Sequence, residues 1–117
     1  MSERGPDLHD LPVVICHYRV KPGCEQEFRL LLDRHWPTLR ELELVTDSKP
    51  LLYMGGERDT DGVLIVEVFE WVSGEAARRA PEHPQVSEIW EGMEKLCEAR
   101  SGRPSMEFPH FRRLDRP

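Results

Sequence analysis

The chain has 117 residues, of which 38% are hydrophobic and 32% charged, and its formal net charge is −6. This length is enough to bury roughly two-thirds of the unfolded surface, so we expect one domain that needs no metal or disulfide to fold. The acidic balance and the scattered basic residues argue against nucleic-acid binding, and no apolar run approaches the ~20 residues that span a bilayer.

The cysteines and the N-terminal residues indicate the cellular compartment. Cys16, Cys24 and Cys97 form no C-x-x-C motif, so neither a disulfide framework nor a zinc site is predicted. The N-terminus lacks the basic and then apolar order of a signal peptide, and we expect a cytoplasmic protein without a membrane partner. The predicted organisation is a loose tail over residues 1–11, a single domain over residues 12–114 and a short tail over residues 115–117.

Two apolar runs rich in β-branched residues predict the central strands of a sheet. The first covers residues 13–20, and its face with Cys16 and Tyr18 is the drier one. The second covers residues 63–72 and is apolar on both of its alternating faces apart from acidic residues such as Glu67. A strand that is covered from both sides needs this pattern.

Two amphipathic stretches predict helices. The first helix covers residues 24–35, and we expect a kink at Pro37 and a short second helix to about residue 44, since proline has no N–H to donate. The second stretch begins with a turn capped by Ser73. It restarts at Pro84 with apolar residues at three- and four-residue steps.

Two shorter segments complete a ferredoxin-like β-α-β-β-α-β order. They are residues 51–56 and residues 106–114, the latter an edge strand because Pro109 cannot donate to a ladder. We therefore expect an α+β fold with a four-stranded antiparallel sheet and both helices on one face. The uncovered face is too apolar for water, which predicts a homodimer through that face.

With these elements the chain resembles the antibiotic biosynthesis monooxygenase family of dimeric α/β barrels. The resemblance rests on the sequence YRVKPG (Tyr18 to Gly23) before the first helix, on VEVFEW (Val66 to Trp71) before Ser73, and on the His83-Pro84 pair. It implies two sheets packed back to back in a dimer, and a cavity between sheet and helices that holds a small molecule.

The resemblance also implies site residues. In quinone-forming members, an asparagine and a tryptophan four residues later lie in this cavity; Trp71 matches the tryptophan and Glu67 stands at the asparagine position. In related haem-degrading oxygenases, a histidine of the second helix joins the tryptophan, and His83 matches it. Their first-strand asparagine falls at or near Cys16, and this chain contains no asparagine at all.

Glu67 carries the most chemical information, because a carboxylate in an apolar strand must find a donor or lose its charge. It could be a site residue, or it could form a buried ion pair with Arg19 or with an arginine of the partner subunit. His83 could carry a proton, or it could simply cap a helix. Candidates for ligand contacts, of which Trp71 and His35 also suit a plain core role, are Trp71, Tyr18, His35 and Phe69.

Two functions remain open on the sequence. The first is a cofactor-independent oxygenase or isomerase of a small aromatic or polyketide-like molecule. In it, Glu67 removes a phenolic or α-carbonyl proton, and His83, His35 or Tyr18 orients the substrate. The second is a non-catalytic dimer that binds a small ligand or responds to stress. The two differ in whether Glu67 lines an open cavity or is sealed and paired to an arginine.

Overall fold

The computed structural model describes residues 8–114. An antiparallel sheet carries the helices on one face, as the sequence predicts. Residues 1–7 and 115–117 of the two predicted tails lie outside the described part. Single 3-10 turns occur at Leu8–Asp10 and Ala80–Glu82. The helices are α1 (Glu25–Glu41), α2 (Gly74–Arg79) and α3 (Pro84–Lys95), and the strands are β1 (Val13–Val20), β2 (Leu51–Gly55), β3 (Val63–Glu70), β4 (Met106–Glu107) and β5 (His110–Phe111).

The strand order is β2-β3-β1-β4, with β5 also paired to β1. This confirms the ferredoxin-like prediction that the first and third strands are central. The two run antiparallel along their full lengths, and Cys16 lies opposite Glu67 in the ladder. Strand β3 leads directly to α2, whose N-cap is Ser73 with its hydroxyl accepting from the backbone N–H of Ala76.

The core lies between the sheet and the helices. The face of β1 predicted to be drier is fully buried, and β3 contributes alternate residues to the same layer because strand side chains alternate between faces. Helices α1 and α3 also pack against each other and cover the core on the side opposite the sheet. Their fully buried contributions include Phe28, Leu32, Leu39, Val86, Ile89 and Met93.

Helix α1 differs from its prediction. It continues through Pro37 to Glu41 and does not end at His35. Proline removes one backbone hydrogen bond, but the flanking turns hold because His35 and Leu39, on either side of it, are both buried against the core. Tertiary packing therefore outweighs the local penalty.

The predicted C-terminal strand is also divided. Phe108 and Pro109 separate β4 from β5, because Pro109 has no N–H for the ladder. Its carbonyl still accepts from the backbone N–H of Ile15 at 3.1 Å, so the segment stays attached to the edge of β1. None of the helices within residues 8–114 combines the length and the apolar character needed to cross a membrane.

The opposite face of the sheet is apolar and only partly covered. The ladders align Ile15 with Val68, Val68 with Leu51, and Val66 with Tyr53 on this face. Ile15, Val66 and Val68 are half-buried, and Leu51 and Tyr53 are exposed. This face, which we call the outer face, is the surface that the sequence predicts to meet a second copy.

Candidate functional site

A fully buried carboxylate lies at the centre of the sheet. Glu67 is in the middle of β3, where side-chain alternation turns it toward the helices together with Ile65 and Phe69, and its exposed fraction is 0%. Its ladder neighbour Cys16 is buried as well. Burying an ionisable group here requires polar partners, because an unpaired carboxylate in an apolar core is strongly unfavourable.

Two donors from other elements meet one oxygen of Glu67. The hydroxyl of Tyr18 in β1 donates to Glu67 Oε1 at 2.7 Å, and Nδ1 of His35 in α1 lies 2.9 Å from the same oxygen. The indole N–H of Trp90 in α3 donates to His35 Nε2 at 2.8 Å. Strands and helices that are distant in sequence thus contribute to one continuous chain of hydrogen bonds.

The chemistry of the indole determines the state of the imidazole. An indole N–H can only donate, so Nε2 of His35 must be the acceptor. The ring is then neutral, with its proton on Nδ1, and Nδ1–H donates to Glu67. Both ring nitrogens of His35 are therefore occupied, one by Trp90 and one by Glu67.

The second oxygen of Glu67, Oε2, is buried and has no partner among residues 8–114. A carboxylic acid would need an acceptor for its own hydroxyl, whereas two donors at Oε1 suit a carboxylate. Arg19 does not neutralise it, because its guanidinium pairs with Glu57 at 2.9 Å and Glu107 at 2.8 Å. The alternative of a Glu67–Arg19 ion pair is therefore wrong.

Burial also raises the pKa values of the two remaining polar groups beside Glu67, which are Tyr18 and Cys16. Loss of solvent raises the pKa of the Tyr18 phenol well above its ordinary value, and the nearby Cys16 and Glu67 raise it further. The pKa of the Cys16 thiol is raised by burial and then by the charge of Glu67. Tyr18 thus remains a hydroxyl donor, and Cys16 remains a thiol and not a nucleophilic thiolate.

A cavity of about 340 Å³ lies against this hydrogen-bonded chain. Phe69, Trp71, Trp90 and Phe108 contribute aromatic rings to its wall, and His35 contributes an imidazole that is hydrogen-bonded to Glu67. Glu91 and Glu94 are exposed, so the cavity reaches the surface beside α3. The lining consists of Val14, Cys16, His35, Phe69, Trp71, Ala77, Trp90, Glu91, Glu94, Met106, Phe108 and His110.

Three of the predicted site residues meet at this cavity. Trp71 follows the end of β3, and its ring stands edge-on to Phe69 with the centroids 5.2 Å apart. Phe69 stands edge-on to His35 at 5.7 Å. The indole nitrogen of Trp71 is buried without a hydrogen-bond partner within the described part of the chain.

The other three predicted residues do not line the cavity. Glu67 and Tyr18 lie behind its wall, and Glu67 reaches it only through His35. His83 is half-buried at the N-cap of α3 and makes no side-chain cap hydrogen bond. The structure therefore separates His83 from the group that contains His35.

Sequence reasoning missed several lining residues. The spacing of apolar residues places Trp90 only on the apolar stripe of the second helix, although a tryptophan in a core normally finds an acceptor for its N–H. His110, whose Nδ1 donates to the carbonyl oxygen of Leu11 at 3.0 Å, lies in the strand predicted as an edge. No signal in the sequence brings Phe108 or His110 to Trp71, because only the pairing of β5 with β1 does so.

No family model and no curated protein sequence matches the chain, but solved structures do. SnoaB of Streptomyces nogalater, described as a cofactor-independent oxygenase, aligns with a TM-score of 0.65 and 19% identity over 89% of this chain and 93% of its own. The chain has the fold of the antibiotic biosynthesis monooxygenases. A second structure with this fold, the Streptomyces coelicolor monooxygenase from ActVA-Orf6 in complex with nanaomycin D, gives a TM-score of 0.57 and 21% identity over 95% and 96%.

The comparison confirms the resemblance to the antibiotic biosynthesis monooxygenases at the level of fold. Identities near 20% carry the architecture and not the reaction. Within residues 8–114, no three histidine, cysteine or acidic side chains lie close enough together to hold a metal ion.

Proposed function

We propose that the protein is a cofactor-independent enzyme that removes a proton from a small planar aromatic or polyketide-like molecule, as an oxygenase or an isomerase. One observation carries the proposal: His35, hydrogen-bonded to the fully buried carboxylate of Glu67, lines an aromatic cavity that reaches the surface. The cavity volume of about 340 Å³ suits a small molecule.

His35 is the proposed base, and Glu67 is the residue that positions it. A carboxylate on Nδ1–H fixes the tautomer, orients the ring and stabilises the imidazolium that forms when Nε2 takes a proton. The proton of a phenol or of a carbon beside a carbonyl would pass to Nε2. Glu67 does not line the cavity, so it acts on the substrate only through His35.

The fate of the resulting anion decides the reaction class. A phenolate or enolate is electron-rich and can react with O₂ from solution, and quinone formation then consumes one O₂ per substrate and releases water. If the proton returns to another carbon, the product is an isomer and no O₂ is consumed. The description of SnoaB as a cofactor-independent oxygenase supports the reaction with O₂, and the nanaomycin D bound to the ActVA-Orf6 protein supports an aromatic or polyketide-like ligand.

The aromatic wall would hold such a molecule. Trp71 and Phe69 line the cavity with aromatic rings against which a planar molecule can pack. We also propose that the enzyme works as a homodimer through the outer face, where the apolar side chains of Ile15, Val66 and Val68 lack full cover.

The test compares His35→Asn with His83→Asn. The asparagine amide at position 35 can still donate to Glu67 but cannot act as a base, so turnover of hydroxylated anthrones or naphthols should fall roughly 10²–10⁴-fold. Turnover by His83→Asn should stay near the wild-type rate, because His83 does not line the cavity. Oxygen uptake and the absorbance of the quinone are measured together.

Other results would change the assignment. Equal losses in the two variants would contradict the role of His35. Binding of these compounds by the wild-type protein, without turnover in any condition, would favour the non-catalytic ligand-binding alternative. That alternative has one observation in its favour, since both nitrogens of His35 are hydrogen-bonded in this structure.

A further inference from the structure

The Nε2 atom of His35 already accepts a hydrogen bond, which limits how His35 can act as a base. Trp90 donates its only polar hydrogen to that atom at 2.8 Å, and Nδ1 is held by Glu67 at 2.9 Å. An imidazole whose single lone pair already accepts a hydrogen bond cannot take a proton from a ligand. For His35 to act as a base, the indole must first leave.

We propose that Trp90 is a removable cap on His35 Nε2, and that a ligand displaces it by offering an O–H or N–H donor of its own. The inference rests on the proposed function, because it assigns the step that makes His35 available. In this role Trp90 is a positioning residue. When no ligand is bound, its indole N–H donates to the lone pair of His35 Nε2. When a ligand with an O–H or N–H donor binds, the indole moves away and the ligand donates to that lone pair.

Burial explains why Trp90 is the partner that moves. Glu67, Tyr18 and His35 have exposed fractions of 0%, 1% and 2%, so their side chains are fixed by surrounding atoms. Trp90 is only half-buried and lines the cavity from α3. His35 would keep its orientation without Trp90, because Glu67 holds Nδ1 and the ring still stands against Phe69.

The exchange is nearly balanced in hydrogen bonds. One donor leaves Nε2 and another takes its place, so the free energy needed to move the indole is largely recovered from the ligand. A ligand with the same shape but without the donor does not recover the free energy needed to move the indole. It would leave either the indole in place or a buried lone pair unpaired. The cap therefore favours hydroxylated over alkylated ligands.

Proton transfer would then hold the cap open. The ligand O–H bond breaks and an Nε2–H bond forms, which gives a ligand anion and an imidazolium whose Nδ1–H still donates to Glu67. Two donors would face each other if the indole of Trp90 returned to Nε2–H. The indole can return only after His35 has given up the proton. The hydrogen bond from Trp90 to Nε2 is therefore present only when His35 is neutral and no ligand donates to it.

The test uses para-nitrophenol, at a pH low enough for it to keep its O–H, and its methyl ether, para-nitroanisole, as matched probes. Trp90→Phe removes the competing N–H and keeps an aromatic wall. We expect para-nitrophenol to bind roughly three- to tenfold more tightly to the variant, the worth of one net hydrogen bond, and para-nitroanisole to bind within about twofold of wild type. His35→Asn should abolish the preference for the phenol.

A spectrum of the wild-type protein gives a second readout that needs no variant. The indole N–H signal of Trp90 in a nitrogen–proton correlation spectrum should shift when para-nitrophenol binds, because its acceptor is taken, and should stay in place with para-nitroanisole. An unmoved signal in the presence of bound phenol would overturn the cap. So would equal changes in affinity for both probes, or a Trp90→Phe variant that binds neither.

These measurements are independent of turnover. If phenol selectivity responds to Trp90→Phe while no substrate is converted, the cap stands and the enzyme proposal fails. If substrates are converted with unchanged rates and selectivity in Trp90→Phe, the enzyme proposal stands and the cap fails.

Discussion

Replacing Tyr18 by phenylalanine removes one of the two donors of Glu67 and little else. The side chain is buried, and only its hydroxyl oxygen is lost, so no cavity larger than one atom forms. A hydrogen bond to a charged acceptor contributes about 1.5–3 kcal/mol. The free energy of unfolding should therefore fall by about 1.5–3 kcal/mol, or about 5–15 °C in Tm for a chain of this size.

The assay is urea denaturation of the variant beside wild type. A double-mutant cycle with Glu67→Gln isolates the pair, since a neutral acceptor should reduce the cost of Tyr18→Phe to about 0.5–1.5 kcal/mol. Equal costs in both backgrounds would refute a Glu67 carboxylate held by Tyr18.

Two further predictions concern packing and assembly. Met93→Ala should lower the free energy of unfolding by ~2–5 kcal/mol through a cavity in the core, whereas Lys95→Ala on the exposed side of α3 should change it by less than ~0.5 kcal/mol, as measured by thermal melts. Light scattering at low micromolar concentration should give twice the monomer mass; Val66→Asp on the outer face should reduce it to that of a monomer, and Leu30→Asp on the exposed side of α1 should not. A wild-type monomer would exclude the paired-sheet arrangement.

The fold could be predicted from the sequence because its signals are local. The two-residue alternation of β1 and β3 and the three- and four-residue stripes of α1 and α3 each fix which face is buried. Where the prediction failed, at Pro37, the local rule was correct about the lost hydrogen bond but could not measure how strongly the surrounding packing holds the chain on either side. At Pro109 the same rule held, since the C-terminal segment pairs at the edge of the sheet and its strand is divided there.

The candidate site could be predicted only one residue at a time. Glu67 was recognisable because a carboxylate is out of place in an apolar strand, and Trp71 because a resemblance marked its position. The contacts of His35 with Glu67 and Trp90 join residues 32 and 55 positions apart, and no periodicity encodes them. They follow from how α1 and α3 pack over the sheet, which is a property of tertiary structure.

Glu67 stands at a position where the resemblance implies an asparagine, and its surroundings explain what a carboxylate does there. The resemblance implies that Glu67 stands where quinone-forming members of the antibiotic biosynthesis monooxygenase family carry an asparagine in the cavity. A carboxylate there is buried behind the cavity wall, and it holds an imidazole that does line the cavity. An amide is neutral and stabilises an imidazolium weakly, whereas a carboxylate stabilises it strongly. A glutamate at this position therefore favours His35 on α1 as the reactive group, and we expect any activity of this chain to depend on His35 more than on the strand position itself.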